Sequence, residues 1–466
     1  MPDAAPYDPD VLTVLDPADG SLVGRLACAT PAEVDAAVEP AAKTAPDWAR
    51  TSPTDRAARV AEAAALVEAA ADELALLTTH EMGKPLADAR GGVEAGVATL
   101  RQYAELGPLH RGRALQGGWD ATDLMIPQPR GVVAAITPWN DPVAVPCGLL
   151  GAALVTGSTV VLKPSERSPH TGLELARVMA EALPAGVLQV LVGDGRTGAA
   201  LTGSAQVDLV AHVGSTATGR AIAQAAARTG AKVVLENGGN DPMIVDEGVD
   251  VAWAAEQAAL GAFANAGQIC TSVERIYVVE PVADAFLEAL VRRADALVVG
   301  PGTDPATQLG PLVDERLRGT VHEHVEGAAA AGATVLTGGE VPGGPGTFYP
   351  ATVLAGCTDD MAVMREETFG PVAPVRVVPD FAAALDCAAA GPYGLAAVVL
   401  TADMEHAQRA WRELPVGTVK VNAAFGGAPG GAAQPRGASG SGFGYGPELL
   451  DEMTTTKVVH VGVPHV

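Results

Sequence analysis

Short apolar runs separated by helical stretches dominate the chain from residue 131 onward. Those at 132–136, 159–162, 188–192, 209–213 and 233–235 have the length of buried strands, with Ala-rich helical segments between several of them. That alternation predicts a parallel sheet wrapped by helices. After Glu236 the pattern resumes. A helix is expected near 251–264, a strand at 275–279, a helix at 283–296, and strands at 334–336, 372–378, 396–400 and 418–421. These predict a second α/β domain. The first hundred residues read as helices, with Ser52-Pro53 as N-cap and first-turn pair of a segment running through Leu77. Gly- and Pro-rich loops at 300–311, 338–350 and 426–442 are expected to line a site or cross between domains.

Two segments fit neither domain. Residues 115–129 link the helical start to the first parallel strand, and 457–461 is strand-like at the far end. They read either as an arm for another subunit or as a surface hairpin. The stretch 143–162 carries no charge over a length that could cross a bilayer. Pro146, Gly148, Gly151, Gly157 and Ser158 interrupt it, so a helix followed by an interior strand is expected instead. Met1 to Asp8 has neither the basic start nor the apolar core of a signal peptide.

At 466 residues, two or three domains are expected. Hydrophobic content of 48% against 18% charged residues describes a globular chain, not a disordered one. A formal charge of −25 argues against nucleic acid, which needs clustered Lys and Arg. The five cysteines are scattered and form no CxxC pair, so neither a disulfide scaffold nor a metal site is expected. A reducing cytoplasm is the expected compartment. His322 and His324 fall on different faces of a helix and are expected to be solvated.

Candidate chemistry centres on Cys270, in the run Asn265-Ala266-Gly267-Gln268-Ile269-Cys270, and on Glu236, 34 residues upstream. A thiol nucleophile and a carboxylate base are the two groups that thioacyl-enzyme chemistry requires. Free cysteine, with a pKa near 8.5, is only about 3% thiolate at pH 7, so a working thiol needs a positive or hydrogen-bonding environment. A lone cysteine is usually a small core residue. Here Asn-Ala-Gly-Gln is a poor helix interior and a plausible turn presenting backbone N–H groups. Asn140, in Trp139-Asn140-Asp141-Pro142 beyond strand 132–136, can donate to an oxyanion, or form an Asx turn before proline. Lys163 and Glu166 can hold ribose hydroxyls or form a surface ion pair. Gly214-Ser215 opens a helix and suits a phosphate, while Gly193 to Gly198 matches a dinucleotide fingerprint only loosely.

Together these motifs resemble the aldehyde dehydrogenase superfamily, the NAD(P)-dependent oxidisers of aldehydes to acids. The resemblance runs from Trp48 and Glu81-Met82-Gly83-Lys84-Pro85, through Glu366-Glu367-Thr368-Phe369-Gly370-Pro371, to Ser439-Gly440-Ser441-Gly442 and Lys457. It implies that Cys270 adds to the aldehyde, giving a thiohemiacetal and then a thioester. Asn140 and the Cys270 N–H would hold the oxyanion, and Glu236 would activate the hydrolytic water. The implied cofactor contacts are Ile136, Trp139, Lys163, Ser165, Glu166, Gly195, Gly214, Ser215, Glu367 and Phe369. Glu366 and Glu367 are adjacent, and Glu367 matches the ribose contact. Glu166 would repel a 2′-phosphate, which favours NAD over NADP.

The implied fold is α/β, with a dinucleotide-binding parallel-sheet domain (1–110 and 130–238) and an α/β catalytic domain (239–437). Residues 111–129 and 438–466 would form a β-strand oligomerisation arm, making a homodimer or homotetramer. A relative that passes its thioester to coenzyme A tends to lack the Glu236-type base. A non-catalytic member would not need Cys270, Glu236, Asn140 and Glu367 together. Departures from the pattern are Asp141 in place of an aromatic residue, Gly148, Leu149 in place of lysine, Asn237, and Gln434-Pro435-Arg436. They imply a more polar pocket, suited to an amino- or hydroxy-aldehyde, unless Asp141 merely caps the following helix.

Overall fold

A computed structural model describes residues 8–427 and 431–464. Met1 to Tyr7, most of the stretch read for a signal peptide, lies outside the described residues, as do residues 428–430 of the 426–442 loop. Two separate sheets carry the fold. The first has six strands in the order Gly440–Ser441, Lys232–Glu236, Leu209–Val213, Val132–Ile136, Thr159–Lys163, Leu188–Val190. All its pairings are parallel except that of Gly440–Ser441 with Lys232–Glu236. Every residue of Val132–Ile136 and Thr159–Lys163 is buried, which is why these runs are apolar without alternation. The uncharged 143–162 stretch is the helix Ala144–Thr156 followed by an interior strand. Among the described residues, no helix is long and apolar enough to cross a membrane.

The second sheet has seven strands, in the order Thr334–Thr337, Thr352–Ala355, Val372–Val378, Val273–Val279, Asp241–Val245, Ala396–Leu400, Thr418–Val421. Only its first pair is antiparallel. Two of these strands, Asp241–Val245 and Thr352–Ala355, were not expected. Asp241-Pro242 resembles a turn in sequence, yet Asp241 and Pro242 flank a register shift against Val273–Val279 that accommodates the proline. Thr352–Ala355 offers only four residues of pattern.

The N-terminal hundred residues are not wholly helical. Val11–Leu15 and Leu22–Ala27 form an antiparallel hairpin. Its turn is built by Asp16 Oδ1, which accepts from Ala18 N at 2.8 Å, and Asp19 Oδ1, which accepts from Ser21 N at 2.7 Å, with Gly20 at φ 76°. The segment opened by Ser52 is two helices, Pro53–Ala69 and Ala71–Met82, divided at Ala70. Both histidines on the helix Glu315–Ala330 make side-chain contacts, contrary to expectation. His322 Nδ1 lies 3.1 Å from the Tyr349 hydroxyl, and buried His324 lies 3.0 Å from Thr368 Oγ1.

A third, three-stranded antiparallel sheet joins Arg113–Leu115, Thr122–Pro129 and Thr454–Val461. It leaves Leu115, Trp119, Val458 and Val461 exposed. The rest of the C-terminal segment behaves differently. Gly440–Ser441 extends the first sheet, and Leu449, Leu450 and Met453 are buried in the core around the helix Ala144–Thr156.

The Glu81-Met82-Gly83-Lys84-Pro85 run has a structural purpose. The Glu81 carboxylate is almost wholly buried and accepts from the backbone N–H groups of His170 and Thr171, each at 2.8 Å. It also takes the Thr171 hydroxyl at 2.7 Å and faces His170 Nδ1 at 2.8 Å. It thereby caps the helix Pro169–Ala180 from a different element. Replacing Glu81 by alanine leaves these donors unsatisfied. Glu81→Ala is expected to cost about 2–4 kcal/mol, read as a lowered midpoint in urea unfolding.

Candidate active site

Cys270 follows a backbone conformation that L-residues avoid. Asn265, Ala266 and Gly267 occupy the left-handed region in succession, at φ 51°, 55° and 73°. For Ala266 this is genuine strain. Side chains hold the turn closed. Asn265 Nδ2 donates to Gln268 O at 3.1 Å, Gln268 Nε2 donates back to Asn265 O at 3.0 Å, and Gln268 Oε1 accepts from Val313 N at 2.9 Å. Gly267 abuts the Gly370 carbonyl so closely that any β-carbon would overlap it. The turn thus locks onto the segment that carries Glu367 and Phe369.

Three other segments reach the same place. Asn140, beyond the end of the strand Val132–Ile136, donates through Nδ2 to Gln268 O at 2.9 Å. Glu236 ends the strand Lys232–Glu236, and its Oε1 accepts from Gly444 N at 3.0 Å. Glu367 Oε1 accepts from Gly239 N at 2.9 Å, and a β-carbon on Gly239 would stand 2.8 Å from the Cys270 carbonyl oxygen. Cys270, Glu236, Asn140 and Glu367 are therefore brought together.

The surroundings of the thiol are acidic, not basic. Burial, then the charges of Glu236, Asp241, Glu367 and Asp141, push the Cys270 thiol up to about 12. Burial lifts Glu236 to about 8, against the opposing Gly444 amide, and Glu367 to about 7. Buried Asp241 and Glu274 are raised well above the carboxylate range by desolvation. At neutral pH the isolated chain keeps this thiol protonated. Among side chains, the partly buried Lys420 ammonium interacts with this thiol, and it does not outweigh burial and the carboxylates.

The crevice at the C-terminal ends of the first sheet opens between Val132–Ile136 and Leu209–Val213, where chain order reverses. Ile136, the last residue of the strand Val132–Ile136, is buried. Lys163 is buried, donates to Pro164 O at 3.0 Å and lies 3.7 Å from the Glu166 carboxylate, which is half-exposed. Ser165 Oγ accepts from Arg167 N at 3.3 Å. Gly195 opens the helix Gly195–Thr202 with free space around its α-carbon. Gly214 and Ser215 precede the helix Thr216–Thr229, and Ser215 Oγ caps it by accepting from Thr218 N at 3.3 Å. Trp139 meets Phe369 edge-on at 5.5 Å between ring centroids, with the Arg167 guanidinium 5.2 Å from the Trp139 ring.

These features fit a nicotinamide dinucleotide. A helix N-terminus beside an open glycine such as Gly195 suits a pyrophosphate. An excess of carboxylate around Cys270 suits a cationic ring, whose charge would draw the thiol pKa down. Among the described residues, no group of three or more His, Cys, Asp or Glu side chains is placed to hold a metal.

Several residues of the site escaped the sequence reading. Glu274 accepts from Thr368 N and Phe369 N, both at 2.8 Å, and so fixes the loop bearing Phe369 at φ 53°. A lone carboxylate inside the apolar strand Val273–Val279 was the available signal. His212 is buried beneath Gly214, and burial drives it down to about 4, against backbone contacts from Ser215 and Ile136, so it is neutral. Tyr445 lies close enough for the charges of Glu236 and Cys270 to raise its phenol, after burial. Nothing in the pattern marked Gly444 or Tyr445.

The departures also resolve. Asp141 caps no helix: Ala144–Thr156 has no side-chain cap, and Asp141 Oδ1 faces buried Lys84 Nζ at 3.4 Å. Leu149 is buried in the apolar core. Asn237 Nδ2 donates to Ala438 O at 3.1 Å, so its amide serves the C-terminal segment.

Fold and site define a two-sheet α/β oxidoreductase with a thiol where a nucleotide crevice meets a second sheet. The chain belongs to the aldehyde dehydrogenase family, whose model matches residues 5–459. It is 37% identical over 462 residues to a betaine aldehyde dehydrogenase of Cereibacter sphaeroides, covering 97% of this chain and 94% of that one. It is 38% identical over 451 residues to a succinate-semialdehyde dehydrogenase of Paenarthrobacter nicotinovorans, covering 95% and 100%. The crystal structure of an NAD-dependent aldehyde dehydrogenase from Sinorhizobium meliloti superimposes with a TM-score of 0.95 at 34% identity, covering 98% and 92%.

Gly267→Ala forces a β-carbon against Gly370 at a positive φ. It is expected to cost at least about 1–3 kcal/mol in denaturant unfolding and to change the rate at which iodoacetamide alkylates Cys270.

Proposed function

We propose that this chain oxidises a polar aldehyde to the carboxylic acid, with NAD as the preferred cofactor and Cys270 as nucleophile. The observation that carries the reading is the 2.9 Å bond from Asn140 Nδ2 to Gln268 O, which fixes an amide two residues from the thiol. One N–H of that amide remains for a substrate oxygen.

Cys270 Sγ adds to the aldehyde carbon and its proton passes to water. The new S–C bond leaves an oxyanion facing Asn140 Nδ2 and the Cys270 N–H. A bound nicotinamide supplies the hydride acceptor for the oxidation to the thioester. Glu236 then takes a proton from water as that water attacks the thioester carbon, and the S–C bond breaks to release acid and thiolate. Glu367 and Phe369, fixed through Gly239 and Glu274, are the groups to hold the nicotinamide end. Lys163, Ser165 and Glu166 would meet the adenosine ribose, and Gly195, Gly214 and Ser215 the pyrophosphate, with Ile136 and Trp139 lining the crevice. The Glu166 carboxylate, beside Lys163, disfavours a 2′-phosphate. The exposed apolar residues of the three-stranded arm suit a neighbouring subunit, in a dimer or tetramer.

Cys270→Ala should abolish NADH formation with every aldehyde. Glu236→Gln should preserve a first burst of NADH and slow turnover by about 10²–10⁴-fold, measured by stopped flow. Because burial lifts Glu236 to about 8, wild-type hydrolysis should rise as pH climbs through that value and level off above it, a limb that Glu236→Gln lacks. Wild-type turnover in Glu236→Gln would remove the assignment.

For the substrate, Asp141 presents a partly exposed carboxylate with Lys84 behind it. The ratio of kcat/KM for 4-aminobutanal to that for hexanal should fall at least about fivefold in Asp141→Ala, the effect of a single charge contact. An unchanged ratio would eliminate a polar-substrate role for this residue.

A further inference from the structure

Gly444 is a glycine for a reason that backbone freedom does not explain. Its φ is not in the left-handed region, so any L-residue could adopt its conformation. What excludes a side chain is Glu236: a β-carbon on Gly444 would overlap both Glu236 Cγ and Oε1. The same residue supplies the N–H that the Glu236 carboxylate accepts at 3.0 Å. Among the described residues, that is the only hydrogen bond of this carboxylate, and none joins it to Cys270 Sγ.

The donor is held rigidly from both sides. Gly440 and Ser441 pair in antiparallel register with Glu236 and Leu235, and Asn237 N donates to Ser439 O at 2.8 Å. Phe443 N donates to Glu452 Oε1 at 3.2 Å, and Glu452 itself pairs with Lys232, on the strand that Glu236 ends. Beyond Gly444, the buried Tyr103 hydroxyl donates to Gly446 O at 3.2 Å. The base is therefore seated by the segment 439–446, anchored to its own strand and to the helical core.

We propose that Gly444 is a positioning residue for Glu236: its amide and bare α-carbon form the seat from which the base reaches the thioester. This rests on the reading of Glu236 as the hydrolytic base. The seat keeps the carboxylate in one rotamer beside the thiol, where a displacement near 1 Å costs on the order of 10²-fold in rate.

The test is a double-mutant cycle of Gly444→Ala and Glu236→Ala, followed by stopped-flow NADH absorbance with hexanal and NAD. Gly444→Ala should keep the burst amplitude and the aldehyde kcat/KM but lose about a hundredfold in kcat, with KM falling alongside. It should add no loss in the Glu236→Ala background, because it acts through the base. Any fall in Tm caused by the collision should be recovered in the double variant, which lacks the colliding side chain. Wild-type kcat in Gly444→Ala, an equal loss on both backgrounds, or a low Tm in both would overturn the proposal. Wild-type turnover in Glu236→Ala alone would instead remove the base, and the seat with it.

Discussion

The strained turn at Asn265, Ala266 and Gly267 is the constraint on which the site depends. Three consecutive left-handed residues reverse the chain between the helix Val251–Phe263 and the strand Val273–Val279, and they deliver Cys270 to the junction of the two sheets. Such a conformation persists only where its surroundings over-determine it. Gln268 ties it to Val313, Asn140 reaches it from the first sheet, and Gly370 closes against Gly267. Together these contacts fix the thiol relative to the groups around it.

Electrostatics shape the site next. Four carboxylates crowd a thiol whose cationic neighbour Lys420 does not offset them, so the resting sulfur is neutral and Glu236 and Glu367 titrate near physiological pH. Burial is the first cause at each of these groups, which makes their protonation sensitive to any ligand that fills the space or brings charge. A carboxyl lifted to about 8 is a stronger base, once ionised, than an ordinary one. Asp241 and Glu274 lie deeper. Glu274 supports the site by accepting the backbone donors of the Phe369 loop rather than by facing it.

The distant parts of the chain that build this junction divide the work unevenly. The C-terminal segment returns across the molecule to add Gly440–Ser441 to the first sheet, place Gly444 against Glu236, and bury Leu449 and Leu450, before leaving as the outer strand of the arm. Glu81 performs a similar long-range task, capping the helix Pro169–Ala180 from the N-terminal helices. Both features occupy conspicuous motifs whose purpose is support.

Periodicity was enough for most of the parallel strands, because fully buried runs such as Val132–Ile136 are apolar throughout, and Cys270, Glu236 and Asn140 stood out as chemistry at strand ends and in turns. The hairpin Val11–Leu15 with Leu22–Ala27 was lost among helical neighbours, and Asp241–Val245 hid behind a proline that a register shift accommodates. Only tertiary structure could decide that the thiol's environment is acidic, that Asp141 faces Lys84 rather than a helix end, and that the Gly444 amide donates to Glu236. The physical reason is range. Burial and hydrogen-bond period are local and repeat along a strand, whereas a pKa, an ion pair or a steric exclusion depends on atoms that the chain brings together from tens to hundreds of residues apart.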